Sequence, residues 1–506
     1  MAGTFFKAKQ RATVFRDEPP PRAMFWEELQ LKQAGALMRD KLVRWEVMQG
    51  SYSLAYLALF LFTAALYIRP TELFPTIFEA YPIQFAKIFA VTAPLIFFFS
   101  RSIGSQSLFH MTREVKMAFV ILAVAFVLMP ISINFDDSWK EFNDNYLKVA
   151  LIFGLMIGVL DSRERIYWLA RLTVLVCAGI ALDLLLKFNP SEKQILGADR
   201  VVGTIGGMFN NPNDLATHFG MLLPMAIVLF CVSRTPFRFV YAACAVVFVL
   251  ATFATFSRGG LLGIAAVAGS MMWKFRKRHK AIPYVAGLMF LVVILLGAPG
   301  GLSDRLWTIL RPNSESSSKE RLDNLKRGII VFARHPLNGI GMGTFHIIGI
   351  HERRAHNSYL EIAAELGGFA LLAYLILIFN PLKSLWQIEQ ETVHAKGRAN
   401  FENYLLSVGL QAALLAYYVN SFFLSLQYLW YVYYPVAYAV GLRLIYEREK
   451  ALQQAVDERD ELAKLHVGDE LKGSLWRDRQ RRPARPALIE TLENPETESS
   501  ALARLP

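Results

Sequence analysis

The residues of this chain whose types and spacing suit chemistry lie in three polar stretches set between apolar runs. The first is GTIGGMFNNPNDLATHFGMLLP, where residues 203–213 lead into an apolar run. Asn-Pro-Asn ahead of such a run caps a helix, with Asn213 or Asp214 meeting free N–H groups and Pro212 ending the loop. A plain cap explains most of this stretch, but not Gly206-Gly207 together with three asparagines. Asn211 and Asn213 therefore stand as candidate substrate-binding residues. The second stretch is Phe256-Ser257-Arg258-Gly259-Gly260, a very short turn between two apolar runs. An arginine at such depth is costly unless it is paired or reaches water, which makes Arg258 a functional candidate. Snorkelling to headgroups is the simpler alternative. The glycines beside it would let a ligand approach the backbone.

The third stretch is SSSKERLDNLKRGIIVFARHPLNGIGMGTFHIIG followed by HERRAHNSYLEIAAELGGFALLAYL. Leu322, Leu325, Ile329 and Phe332 predict an amphipathic helix with Arg321 and Arg327 on its other faces. His335-Pro336 ends it, and Gly339, Gly341 and Gly343 predict a flexible turn. Ser358-x-x-Glu361 reads as a capping box that starts a long helix. His356 then sits at a helix N-terminus, where the dipole keeps an imidazole neutral and able to accept a proton. Arginines nearby suit bidentate capture of a phosphate-bearing donor. His351 shares the loop, and a surface or capping histidine is an equal alternative on spacing alone. Outer loops lack HxxxH, HExxH and Asp-x-Asp patterns, and Asp136-Asp137 is a weak pair. No Walker A loop occurs, so neither a metal nor a nucleotide cofactor is expected.

The elements that must position these residues are membrane helices. The chain has 506 residues, of which 54% are hydrophobic and only 19% charged, with 37 Phe. A soluble chain carries roughly a quarter charged residues, and the mean hydropathy is +0.32. Apolar runs near the ~20 residues of a spanning helix occur at 51–68, 83–100, 117–133, 147–160, 168–186, 215–232, 239–256, 260–273, 282–297, 366–379, 404–424 and 428–444. The expected fold is all-α and polytopic, with about twelve transmembrane helices and a large outer loop between the ninth and tenth.

Net charge is +12, but the basic residues cluster in short loops and in the tail, which points to anionic headgroups and not to nucleic acid. Lys274, Arg276, Lys277, Arg278 and Lys280 follow the eighth run, Arg163 and Arg165 the fourth, and Arg234 and Arg238 the sixth. Even-numbered exits are thus cytoplasmic, and an even count puts both termini inside. The chain divides into a cytoplasmic amphipathic segment 1–50, spans 51–297, an outer loop 298–365, spans 366–445 and a cytoplasmic tail 446–506. The first segment carries Leu31, Ala34, Met38, Leu42 and Trp45 at helical spacing, and the tail carries Leu452, Val456, Leu462 and Leu465 before an Arg- and Pro-rich end. Cys177, Cys231 and Cys244 lie in apolar runs and imply no disulfide framework.

GMFNNPNDLA, a span ending FSRGG, a loop helix with HPLNGIGMGTF, and AHNSYLEIAAELGG, in that order, resemble the O-antigen ligase/O-antigen polymerase family of bacterial envelope glycosyltransferases. The resemblance covers roughly residues 147–368. It implies a GT-C-like enzyme of the inner membrane that takes a glycan from undecaprenyl pyrophosphate on the periplasmic side and passes it to an acceptor hydroxyl, without metal. His356 matches the family's proposed base, within the motif filled by Asn357, Tyr359 and Leu360. Arg258 matches one pyrophosphate-binding arginine. Arg321 matches the other, with Arg327 a rival because the usual aromatic after that arginine is missing here. Direct displacement with one base would invert the anomeric centre, the leaving pyrophosphate being held by arginines. Glu361 and Glu365, one turn apart, would orient His356, bind sugar or simply satisfy the helix. Ligase, polymerase and protein O-glycosylation enzyme share this core, so the acceptor is lipid A core, another glycan or a protein. A polysaccharide transporter fits less well, since polarity concentrates in the second half and no internal repeat is evident. A scaffold would not require an outer arginine–histidine constellation.

Overall fold

The computed structural model describes residues 54–73, 76, 85–103, 110–187, 211–276 and 316–480. The segment 1–50, the ninth apolar run at 282–297, the first part of the stretch 298–365, and the Arg- and Pro-rich end beyond Gln480 lie outside the described residues. Among the described residues there is no strand, and the protein is an all-α polytopic membrane protein. The chain forms two units, Met1–Tyr446 and Glu447–Pro506.

The first unit runs through α1 (Leu54–Leu73), α2 (Phe85–Ile103), α3 (Arg113–Leu128), α4 (Phe135–Val159), α5 (Arg163–Leu186), α6 (Pro212–Val232), α7 (Arg238–Ala254), α8 (Arg258–Phe275), α9 (Ser316–Arg334), α10 (Ser358–Thr392) and α11 (Arg398–Ser421). It ends within α12 (Trp430–Gln480). The described parts of all the apolar runs but the ninth fall largely in these helices. Among the described residues six spans, α1, α3 continued to Ile131 by a 3-10 turn, α4, α5, α6 and α10, are long and apolar enough to cross a membrane on their own composition. In the second unit, Leu452 and Val456 are exposed.

Local chemistry explains where the helices begin. Thr112, Ser162 and Ser257 accept hydrogen bonds from the N–H groups of Val115, Arg165 and Gly260 at 3.4, 3.4 and 3.2 Å. Each side-chain oxygen meets a donor that the helix itself leaves unpaired. α6 is capped by Asn211, whose Oδ1 accepts the Asn213 N–H at 2.8 Å, with Pro212 in the first turn. The cap is therefore two residues earlier than Asn213 and three earlier than Asp214, because proline at the first helical position needs no N–H partner. α4 starts at Phe135, well before the apolar run at 147. Its first turns are polar, and a π-helical turn at Glu141–Tyr146 joins them to the apolar half.

α6 is the hub of the packing. It is buried on nearly every side and lies against α5, α7, α8 and α11. α10 packs against α3, α9 and α11. The glycines after Arg258 serve this packing. A Cβ at Gly260 would lie 2.5 Å from the Ala216 Cβ of α6, and one at Gly263 would lie 2.3 Å from Asn420 Nδ2 of α11. The space expected for a ligand is thus filled by neighbouring helices.

Away from residues 298–365, two buried acids tie helices together. Glu114, fully buried, takes both arms of Arg443 at 2.9 and 3.0 Å and the Asn380 amide at 2.6 Å, linking α3, α12 and α10. Glu389 pairs with Lys274 and accepts from Gln411 at 3.1 Å, linking α10, α8 and α11. A charge in such a place survives only when paired and hydrogen-bonded.

The stretch after α9 is a packed ribbon rather than a flexible turn. Gly339, Gly341 and Gly343 have φ of +59°, +112° and +75°. A Cβ on them would fall 2.3 Å from the Glu365 backbone, 1.9 Å from Ser132 Oγ and 2.6 Å from the Glu141 Cβ. Ile340 N–H and Gly341 N–H donate to the carbonyls of Ala364 and Glu365 at 3.0 and 2.9 Å, where α10 is interrupted by Gly367 at φ +79°. Left-handed backbone and absent side-chain volume are both needed for the ribbon to pass between α10 and the start of α4. Gly341→Ala is expected to destabilise the protein by about 1–3 kcal/mol through strain and overpacking. Gly269→Ala in α8, where a Cβ meets nothing within 4 Å, is expected to leave the thermal midpoint unchanged or slightly raised. Thermal unfolding of the two purified variants in detergent checks this.

Candidate active site

The site is assembled where α4, α6, α8, α10 and α12 begin, beneath α9. α9 crosses the first turn of α10 at Gly328, where a Cβ would lie 2.7 Å from Leu360 Cδ2. Asn324, one turn earlier and fully buried, accepts the Ile350 N–H at 2.8 Å. Arg321, Asn324 and Gly328 share a helix face, so Arg321 lies on the side turned toward α10. The apolar stripe expected to pack α9 does so only in part, Leu325 and Phe332 being half-buried. Leu322 and Ile329 are exposed, because a glycine and an asparagine form the contact that lets α10 approach closely.

His356 lies two residues ahead of α10. Its φ is 53°, left-handed for a residue with a Cβ, a conformation that costs on the order of 1–2 kcal/mol. Its N–H donates to Ser425 Oγ at 3.1 Å. Burial, followed by the charges of Arg321, Arg353 and Arg354, pushes its imidazole down to about 4. The direction is the one expected from the sequence, but desolvation and guanidinium charge supply it. His351 is exposed and also left-handed, at φ 53°.

The cap of α10 is Asn357, not Ser358. Asn357 Oδ1 accepts the Leu360 N–H at 3.0 Å, and its Nδ2 donates to the Phe422 carbonyl at 3.5 Å. Ser358 is drawn away by the turn between α11 and α12, donating to the Leu424 carbonyl at 2.7 Å and accepting the Leu426 N–H at 2.9 Å. Glu361 still reaches back past the cap, as the acid of a capping box does, but its Oε2 takes the Ala355 N–H at 3.0 Å. Tyr359 packs on Phe422, ring centroids 4.8 Å apart, and donates to the Tyr418 carbonyl at 3.3 Å. The described contacts of Asn211, Asn357 and Tyr359 thus shape backbone and packing.

Arg258 opens α8 two residues after Phe256, which is buried and left-handed at φ 51°. A Cβ on the adjacent Gly259 would lie 3.1 Å from Asn420 Oδ1 and 3.6 Å from Phe423. Arg258 and His356 therefore border the same turn after α11. Arg327 points elsewhere, donating to the Ile348 carbonyl at 2.7 Å from an exposed position. Arg353 pairs with Glu320 at 3.0 Å. Asn213 lies in the first turn of α6, and Thr217 donates to its carbonyl at 3.0 Å.

Arg354 turns inward. It meets Glu141 at 3.1 Å and Glu361 at 3.9 Å, and Asp214 of α6 lies within its electrostatic reach. Burial works against its charge, but Glu361, Glu141 and Glu365 outweigh that cost and hold it protonated above the ordinary arginine value. Glu365, 1% exposed, accepts the Phe345 N–H at 3.0 Å. Sequence reasoning missed Glu141, within α4, and Ser425 and Gln427, in the turn before α12, which no local signal marks. Among the described residues, no three His, Cys, Asp or Glu side chains group as metal ligands.

Geometrically, the site offers one histidine biased to the neutral form beside several guanidinium groups. That pairing suits proton removal from a hydroxyl next to a bound polyanion. Sequence comparison adds an independent finding. Residues 242–375 match the family model described as O-antigen ligase, a stretch from within α7 to the middle of α10 that contains Arg258, Arg321, Arg327 and His356. A search of curated proteins finds no match to the chain. Over residues 242–375 the chain is thus similar to the O-antigen ligase family, a family known for glycosyltransferase-type activity.

Proposed function

We propose that the protein transfers a glycan from undecaprenyl pyrophosphate to an acceptor hydroxyl on the periplasmic side of the inner membrane. The observation that carries this reading is His356: a depressed imidazole among arginines, just ahead of a helix N-terminus, inside the family-matched stretch. His356 takes the acceptor proton as general base. Arg258 and Arg321 hold the pyrophosphate and stabilise the charge that develops as the glycosyl bond breaks. Attack opposite the leaving group inverts the anomeric centre. Arg327 is left out of the clamp because it serves the Ile348 carbonyl. Asn211, Asn213, Asn357 and Tyr359 set the walls around the reacting groups. The direct test is incubation of the purified protein with undecaprenyl-pyrophosphate-linked oligosaccharide and, in turn, lipid A core, a second lipid-linked glycan or a protein acceptor. Transfer in one arm supports the reading and names the acceptor; donor that stays intact in all three overturns it.

In this reading residues 298–365 face the periplasm and both chain ends the cytoplasm. A cysteine replacing the exposed Ala333, with Cys177, Cys231 and Cys244 removed, is expected to react with an impermeant maleimide on spheroplasts. Reaction only after lysis would reverse the orientation.

His356→Ala is expected to lower turnover by roughly two to four orders of magnitude, the usual scale of general-base catalysis, while the donor still binds. The base works as neutral imidazole, which prevails above its pKa of about 4. Activity should therefore rise with pH through that region and level off, and Arg353→Gln, which removes one of the depressing charges, should move the acid limb upward. Turnover–pH profiles of the two proteins check the shift.

Arg258→Lys and Arg321→Lys keep the charge but lose the planar fork. Each is expected to cut turnover at least about tenfold, against little change in Arg327→Ala. Steady-state rates at saturating acceptor measure this, and full activity in Arg258→Ala would remove that residue from the clamp.

A further inference from the structure

Glu361 is buried to 1% exposure in α10 and gathers donors from both sides of His356. Its Oε2 accepts the Ala355 N–H at 3.0 Å and the Ser425 hydroxyl. That hydroxyl oxygen in turn accepts the His356 N–H at 3.1 Å. Its Oε1 accepts the Gln427 amide at 3.0 Å. Capping alone does not call for this arrangement, since Asn357 already meets the Leu360 N–H. The donors come from the residue before the histidine and from the turn between α11 and α12, far away in sequence. They meet at the point where the chain adopts φ 53°. Left-handed backbone at a residue with a Cβ persists only when its surroundings over-determine it.

We propose that Glu361 is a positioning residue for the transfer: with Ser425 it ties the turn at 422–427 to the Ala355–His356 peptide and fixes the direction of the imidazole. Its carboxylate touches neither donor nor acceptor, and it acts through His356. The inference rests on His356 being the base. Loss of the tie would leave the histidine present but misaimed, and a displacement of about 1 Å can cost on the order of 10²-fold in rate.

The test uses the full chain in detergent, undecaprenyl-pyrophosphate-linked oligosaccharide as donor, and the acceptor that supports turnover. Ser425→Ala, Ser425→Thr and Glu361→Gln are made in the parent chain and in His356→Ala. In the parent, Ser425→Ala is expected to lower kcat about tenfold and Glu361→Gln about tenfold or more, with the donor KM unchanged. Ser425→Thr, which retains a hydroxyl, should recover most of the rate. In the His356→Ala chain neither Ser425→Ala nor Glu361→Gln should slow the residual reaction, because no imidazole is left to aim. Equal losses in both backgrounds, or a raised KM with kcat retained, would overturn the positioning role. Ser425→Ala removes a single oxygen, so it keeps the proposal testable if Glu361→Gln fails to fold. Unimpaired kcat in His356→Ala itself would instead sink the assignment of the base, a result separate from additivity of the two effects.

Discussion

A carboxylate taken out of water must be met by donors or a cation, and this requirement at Glu361 organises the site. Its oxygens draw in the Ala355 peptide, Ser425, Gln427 and, at longer range, Arg354. Arg354 extends the set to Glu141 on α4. The start of α10, the start of α4 and the turn before α12 are therefore fixed to one another by charge and hydrogen bonds, in a place where apolar contact alone would give no direction. The same rule operates at Glu114 and Glu389, where each acid locks three helices. Removing one partner of such a group leaves an uncompensated buried charge, which costs far more than the net worth of the pair.

Backbone N–H and C=O groups that are buried must find partners, and an irregular segment cannot supply them from within itself. The ribbon after α9 meets that condition by borrowing carbonyls from the break in α10 at Gly367. The break frees those carbonyls, and the ribbon uses them. Helix interruption and ribbon are thus one feature, and the glycines on both sides are what lets the two backbones approach.

Much of this was legible in the sequence. Apolar runs located the helices because lipid imposes a length and a composition that few other constraints mimic. Arg258 and His356 stood out because each lies in a short polar stretch against an apolar run. Residues acting through tertiary contact were not legible. Ser425 meets His356 across 69 positions and Glu141 meets Arg354 across 213, and nothing local marks either. Asn357 and Ser358 are both good cap residues, and only the turn before α12, which claims the Ser358 hydroxyl, decides between them. The glycine ribbon looked flexible because sequence shows a missing side chain but not the neighbour that fills its place. α9 misled by its apolar stripe, since close helix contact favours small residues over large ones. The polar first turns of α4 hid its true start, because they are sheltered by the ribbon and by Arg354 and not by lipid.

The π turn at Glu141–Tyr146 has a consequence for how α4 is read along its length. An α-helix repeats its faces every 3.6 residues, and a π turn adds one residue to that count. After it, Val149, Ala150, Ile152 and Phe153 keep phase with the helices around them; Ser138 before it and Glu141 at its first residue belong to a frame displaced by about 100°, one residue's worth of rotation. One continuous helix thus carries two registers, one set by its lipid-embedded neighbours and the other by the guanidinium of Arg354. The extra residue works as a phase adjuster, letting a scaffold tuned for packing and a rim tuned for charge be optimised separately on a single rod.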